Sequence, residues 1–435
     1  MTLQYLILAR KVTGKLDTKK KIDYKWVIVV CSFLMVFSTL GFCSSPKGLF
    51  LNAITEALSI KRSLFSINDS VRYISTSLVN LAFGLLISKF GARTLVGAGF
   101  VSLIVSMLLY SVAEQMWVFY LGGMFLGIGL SWTTTTMVGY VVNRWCSEHK
   151  GTIMGLILCS NGLGGALSAQ ILTPIIYESP FSYRAAYRLV ALILLIVGIL
   201  VVALFRNAPG LAPGKATKKA KKPTWNGISF SEAVRKPYFY GAAACVFLTG
   251  AALQGVTGIS SAHLKDIGID AGFLATVVSV HSLLLAGSKF LTGFLHDKLG
   301  LRVTMMYCYV AGVIAFVSLA LTNAESGRSL ALVYSVFSAL ALPLETIMLP
   351  LVTGDIFGQV SYAKMLGIFV SVNTAGYAVG APLTNLAYDV IGNYVAVLYI
   401  SCAVLITAAV TFLFIFKAAN KDRSLAEASL AEKTV

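Results

Sequence analysis

A ten-residue pattern occurs twice in this chain, 209 positions apart, as GLLISKFGAR at 84–93 and GFLHDKLGLR at 293–302. Each copy lies between two long apolar stretches. A second echo, 212 positions apart, pairs three residues of one half with three of the other: Gly155 with Gly367, Asn161 with Asn373, and Gly164 with Gly376. Two repeats at nearly one offset indicate a duplicated bundle of apolar helices, which is typical of alternating-access transporters.

The apolar stretches are long enough to cross a membrane. The chain is 57% hydrophobic and only 12% charged, with a mean hydropathy of +0.80, more apolar surface than a soluble protein of this length can bury. A membrane-spanning helix needs about 20 apolar residues. We therefore predict an all-α membrane protein with twelve spans, numbered in order: 26–47, 66–88, 94–113, 116–142, 151–177, 185–206, 238–262, 272–296, 303–322, 329–354, 363–388 and 393–416.

The distribution of charge predicts the orientation of these spans. With the N-terminus in the cytosol, the cytosolic segments carry 26 of the 35 Lys and Arg residues, and this positive-inside bias places both termini in the cytosol. The net charge of +17 is thereby explained without a nucleic-acid partner. Lysines of the N-terminal tail also suit contact with anionic lipid. We expect a multi-pass protein of the plasma membrane, and a monomer.

A polar segment divides the predicted spans into two bundles of six. Residues 207–227 are rich in Pro, Gly and Lys and predict a linker. Ser229 and Glu232 fit a capping box for a short helix, and Pro237 marks entry to span 7. The expected division is a tail (1–24), a first bundle (25–206), a cytosolic linker (207–236), a second bundle (237–417) and a C-terminal tail (418–435).

The repeated loop pattern resembles the signature of the major facilitator superfamily, which is Gly, an acid four residues later, a basic residue, Gly and Arg. The resemblance implies the major facilitator fold and a network of charges that closes the cytosolic side. On that reading Asp297, Arg302 and Arg93 are conformational latch residues. The first loop has Ser88 where the second has Asp297, so the resemblance implies an acid latch in one half only.

A narrower resemblance is to the monocarboxylate transporters and the oxalate:formate antiporters. Five groups of residues carry it: Ser45–Phe50 (SPKGLF), Tyr73–Ser75 (YIS), Asn143–Trp145 with Lys150 and Gly151 (NRW and KG), Asp355–Gly358 (DIFG) and Gly392–Tyr394 (GNY). Lys289 falls where these families place an arginine in span 8, which implies binding of a substrate anion. Leu285 replaces the aspartate of the animal transporters, so their proton-coupling scheme does not carry over.

Few ionisable residues fall inside the predicted spans, where each costs roughly 2.5–3.5 kcal/mol. Glu345 is the one deep acid and lies between Pro343 and Pro350. It suits a proton carrier, and the alternative is that it is a structural partner for Lys289 or for an Asn. His281 lies two turns from Lys289 and is a weaker candidate for proton coupling. Lys47 could line the substrate path, or its ammonium could simply reach outward to water. We expect Arg72 to anchor its helix.

We therefore expect a secondary transporter of a small organic anion, of the monocarboxylate class, coupled to protons. Lys289, Lys47, Tyr73, Asn161 and Asn373 are the candidate substrate residues. Carboxylate exchange without protons, export of drugs or cations, and a nutrient sensor without transport remain open alternatives. The sequence shows no nucleophile–base set and no metal cluster, and its seven cysteines are scattered without a CxxC pair. We therefore expect no enzyme activity, cofactor or metal.

Overall fold

The computed structural model describes residues 24–47, 50, 53–54, 57–60, 62–176, 182–207, 227–269, 271–323, 327–391 and 393–432. The predicted N-terminal tail, most of the linker and Gly392 lie outside them. The described residues form helices with these bounds: Tyr24–Cys43, Arg62–Leu81, Phe83–Val112, Met116–Thr133, Thr135–Trp145, Lys150–Ile176, Tyr183–Leu204, Phe230–Ala233, Pro237–Asp266, Ala271–Ala320, Gly327–Ala341, Pro343–Thr346, Met348–Phe357, Tyr362–Ile391 and Val395–Glu432.

Twelve spans are recovered when two glycine breaks are taken into account. Ten helices of the described residues are long and apolar enough to cross a membrane. Gly300, with φ of 79°, divides Ala271–Ala320 into spans 8 and 9. Gly91, with φ of 78°, divides Phe83–Val112, and its first part continues Arg62–Leu81 as span 2. Both glycines belong to the repeated loop pattern. A positive φ at the turn between two spans favours glycine, because it has no Cβ. The predicted all-α architecture is confirmed.

The repeated glycines mark two crossings between the first and second sets of six spans. At the start of span 5, Gly151 packs against Gly293 of span 8. One turn on, a Cβ at Gly155 would lie 2.6 Å from the carbonyl oxygen of Lys289. The equivalent glycines of the other repeats, Gly84 and Gly367, pack spans 2 and 11 together in the same way. Lipid tails are as apolar as the helix surfaces, so the hydrophobic effect does not drive helices together in a membrane. Small residues instead allow the backbones to pack closely.

Both crossings lie towards the side of the molecule that bears the two repeated loops, which we call the repeat-loop face. The end of the linker also packs here. Ile228 donates its backbone N–H to the carbonyl of Phe357, at the end of span 10. Ser229 accepts from the backbone of Glu232 and caps helix Phe230–Ala233, and Pro237 begins span 7, as the sequence predicts. The repeat-loop face is therefore held closed in this structure.

Candidate substrate site between the halves

Glu345 lies where span 10 is interrupted. Helix Pro343–Thr346 is a single turn between Gly327–Ala341 and Met348–Phe357, and the proline at its start removes a backbone donor that a continuous helix would use. The side chain is 5% exposed. Its Oε2 accepts from Gln254 of span 7 at 3.2 Å, and the hydroxyl of Tyr377 in span 11 lies beside it. Oε1 accepts no hydrogen bond within 3.5 Å from the described residues.

Lys289 faces the same region from span 8 and is also 5% exposed. It interacts electrostatically with Glu345 and with the thiol of Cys159 in span 5. Within the described residues its ammonium makes no hydrogen bond and no ion pair within 4.0 Å, although Glu345 is near enough to interact with it electrostatically. Burying an ammonium is unfavourable unless a counter-charge is close. An anion bound beside Lys289 would reduce this cost.

Tyr73 extends this cluster to the first set of spans. Its ring meets that of Tyr377 edge-on, with centroids 5.7 Å apart. The guanidinium of Arg72 lies 4.4 Å from the centroid of the Tyr73 ring, within the range of a cation–π interaction. Tyr73 thus links span 2 to span 11 beside Glu345.

Lys47 lies away from this cluster, on the side opposite the repeat-loop face. It forms an ion pair with Asp69 of span 2, and Arg72 approaches the other oxygen of Asp69 at 3.4 Å. Arg72 also donates to the hydroxyl of Ser44 at 3.1 Å, in keeping with an anchoring role. Sequence reasoning missed Asp69, although an acid three residues before Arg72, on the same helix face, is a signal for such a pair.

Three other candidates bond to neighbouring helices. Asn161 accepts from the hydroxyl of Ser45 at 3.1 Å and is half-buried. Asn373 is buried and donates to the carbonyl of Val246 in span 7 at 3.2 Å. The Nδ1 of His281 lies 2.9 Å from the hydroxyl of Ser338 in span 10. The described contacts of Asn373 and His281 are with neighbouring helices, and both His281 and Asn161 are partly exposed.

Asp297 joins the two sets of spans at the repeat-loop face. Its carboxylate accepts the backbone N–H groups of Gly151 at 2.9 Å and Thr152 at 2.7 Å, in the first turn of span 5. Partial burial raises the pKa of this loop carboxyl, but the hydrogen bonds from Thr152 and Gly151 outweigh that effect and hold its pKa below the usual range. The N-terminus of a helix is a favourable place for such an anion.

The other latch candidates do not make such a contact. Arg93 donates to the carbonyl of Val202 at 2.9 Å, within the first set of spans. Arg302 is exposed beside a cavity that Lys417 and Arg423 also line. The hydroxyl of Ser88 bonds to its own helix, at the carbonyl of Leu85. The asymmetry between the two loops is therefore visible in the structure.

Comparison with known proteins identifies the family. The model of the Major Facilitator Superfamily matches residues 26–355 and 265–433, which together cover nearly the whole chain. The chain belongs to the major facilitator superfamily. It is a secondary transporter of that superfamily and not an enzyme.

Relatives and solved structures agree with this assignment. The chain is 26% identical over 396 residues to monocarboxylate transporter 13 of Bos taurus, covering 88% of this chain and 87% of that protein. It is also 26% identical over 293 residues to the uncharacterized MFS-type transporter YcxA of Bacillus subtilis, covering 65% and 67%. The crystal structure of the transporter FucP in the outward conformation superposes with a TM-score of 0.68 at 16% identity, covering 93% of this chain and 99% of that one. This last likeness concerns the fold.

Proposed function

We propose that this protein is a proton-coupled transporter of a small organic anion of the monocarboxylate class. The observation that carries the proposal is that Lys289 and Glu345 lie buried in the same region. Both side chains are buried and they interact electrostatically, and Oε1 of Glu345 accepts no hydrogen bond within 3.5 Å from the described residues. The name of the relative monocarboxylate transporter 13 supports the same substrate class.

In the empty site, the charge of Lys289 partly compensates that of Glu345. A substrate carboxylate that binds Lys289 takes over this counter-charge. The Glu345 carboxylate is then left buried with less compensation, and proton uptake removes the charge that burial penalises. Substrate binding and proton binding thereby favour one another. This electrostatic coupling is a mechanism for co-transport of one anion with one proton.

The remaining candidates receive roles along the path. Lys47 and Tyr73 would receive the anion on the side opposite the repeat-loop face, and Asn161 would line the path beyond them. Asn373 and His281 would hold spans 11 and 8 in place around this path through their hydrogen bonds to neighbouring helices.

Membrane orientation follows from the positive-inside bias. The repeat-loop face, with the linker and both chain ends, would face the cytosol at the plasma membrane, with 25–206 and 237–417 as the two rocking bundles. The present structure, closed on the repeat-loop face, would then correspond to the outward-facing state. Transport would proceed when the bundles rock and the crossings of spans 5 with 8 and 2 with 11 separate.

A ligand screen followed by flux measurements tests this proposal. Carboxylates such as pyruvate and lactate should raise the melting temperature of the purified protein and should accumulate in proteoliposomes under an inward proton gradient. Exchange that is independent of pH would favour the carboxylate exchanger. Stabilisation by lipophilic cations alone would favour a cation exporter, and stabilisation without flux would favour a sensor.

A further inference from the structure

His296 lies at the end of span 8 and was not singled out by its sequence. Its side chain is 11% exposed and lies between two carboxylates. Nε2 lies 2.9 Å from Oδ2 of Asp355, at the end of span 10. Nδ1 lies 3.3 Å from Oδ1 of Asp297, the residue that accepts the first N–H groups of span 5. The imidazole therefore stands within a chain of contacts from span 10 through span 8 to span 5.

The hydrogen-bonding capacity of these groups defines the protonation state that fits the geometry. An ionised carboxylate only accepts hydrogen bonds, and a neutral imidazole has one donor and one acceptor nitrogen. Both contacts of His296 can therefore be hydrogen bonds only when the ring is an imidazolium. The hydrogen bonds from span 5 keep the pKa of Asp297 low, so this carboxyl remains ionised where histidine titrates, near pH 6.5.

We infer that His296 is a second proton-binding site, separate from Glu345, whose proton holds the repeat-loop face closed. With the proton bound, the ring bridges Asp297 and Asp355 and fixes the carboxylate that accepts from span 5. Without it, a lone pair of the ring faces a carboxylate, the two acids repel, and the hold on span 5 weakens. Lys150 is the cation facing this cluster from span 5. It interacts electrostatically with Asp355 and bonds to Asn143 at 2.8 Å.

This inference requires the two halves to separate at the repeat-loop face, and it requires no particular substrate. In the orientation proposed above, the site would sense cytosolic pH. Protons that enter with the substrate would bind His296 and favour the closed state, so that uptake slows as the cytosol becomes acidic.

The direct test is the distance between spin labels on the two halves as a function of pH. Lys89 and Leu299 are exposed at the repeat-loop face, one in each half, and are suitable label sites once the partly exposed Cys43 and Cys159 are replaced by Ser. Between pH 5.5 and pH 8, about one unit or more either side of the ordinary histidine pKa, the longer-distance population should rise severalfold. In His296→Gln it should not change with pH. His149→Gln, at an exposed histidine of the neighbouring loop, should respond as the unaltered protein does.

A second variant keeps the histidine and removes one acceptor. In Asp355→Asn the amide can donate to Nε2 while Nδ1 donates to Asp297, so a neutral ring satisfies both contacts. The pH response should flatten with the face still closed at pH 8. A constant distance in the unaltered protein, or a full pH response in His296→Gln or Asp355→Asn, would overturn the inference. Because these measurements are made without any carboxylate substrate, neither result depends on the proposed substrate class.

Discussion

At the scale of single residues, the site is defined by two ionisable side chains in a place where ionisable side chains are costly. Lys289 and Glu345 are each almost fully buried, and among the described residues neither has an ion-pair partner within 4.0 Å. Insertion scales assign a buried charge a cost of roughly 2.5–3.5 kcal/mol. A ligand that supplies the missing counter-charge would recover part of that cost, which is the physical basis for the anion site proposed at Lys289.

Replacing Lys289 by Gln should weaken carboxylate binding while the protein still inserts and purifies. A hydrogen bond to a charged group contributes about 1.5–3 kcal/mol, so affinity should fall roughly 10- to 100-fold. Lys289→Arg should be milder because the charge remains. Binding isotherms and initial uptake rates provide the measurement, and Lys298→Gln, at an exposed lysine of the adjacent loop, is the control. Unchanged affinity in Lys289→Gln would remove this residue from the site.

At the scale of helices, the crossing of spans 5 and 8 depends on the missing side chain of Gly155. A Cβ there would lie 2.6 Å from the carbonyl oxygen of Lys289 and 3.0 Å from the Cα of Phe290. These are backbone atoms that cannot move aside independently. The same crossing positions Lys289 and brings span 5 within reach of Asp297, so its spacing affects both the site and the latch.

We predict that Gly155→Ala lowers stability by about 1–3 kcal/mol, the usual range for overpacking, and slows transport. Gly287→Ala is the matched control on span 8, since no atom lies within 4 Å of the added Cβ and alanine is the better helix former by up to about 1 kcal/mol. Melting temperature and initial uptake rate at equal expression are the measurements. Equal behaviour of the two variants would mean that the crossing tolerates a wider spacing.

We also predict that Asp297→Asn impairs transport far more than Ser88→Ala. Asp297 accepts two backbone N–H groups of span 5 with charge assistance, and an amide in its place has one acceptor oxygen and loses the charge. Ser88 contacts only its own helix through its hydroxyl. Initial uptake rates of the two variants decide the point. Losses of equal size would show that the difference between the loops has no mechanical role.

The helices were predictable from the sequence because length and hydropathy are local properties. The breaks at Gly91 and Gly300 and the cap at Ser229 were also encoded locally. The partners of Glu345 were not, since Gln254 and Tyr377 come from spans 7 and 11 and look like ordinary polar residues in apolar helices. His296 was missed for a similar reason: its two acids come from different positions in the fold, and only packing of span 10 beside span 8 reveals the bridge.

At the scale of the whole molecule, the two ends of the proposed path are built differently. The repeat-loop face is closed by glycine crossings and by the carboxylate of Asp297. On the opposite side, the described residues offer charged groups at Lys47, Asp69 and Arg72. In the proposed function, the anion would enter from that side into a site that the repeat-loop face seals. Proton coupling then depends on whether Glu345 changes its charge during the cycle.

Glu345→Gln in proteoliposomes tests this central claim most directly. Glutamine has nearly the shape of the protonated acid and cannot release a proton. The variant should lose accumulation of carboxylate against its gradient when a pH gradient is imposed, yet should retain exchange of substrate across the membrane, because exchange requires no net deprotonation. If Glu345→Gln still concentrates substrate in response to the pH gradient, the carboxyl has a structural role and proton coupling through Glu345 is contradicted.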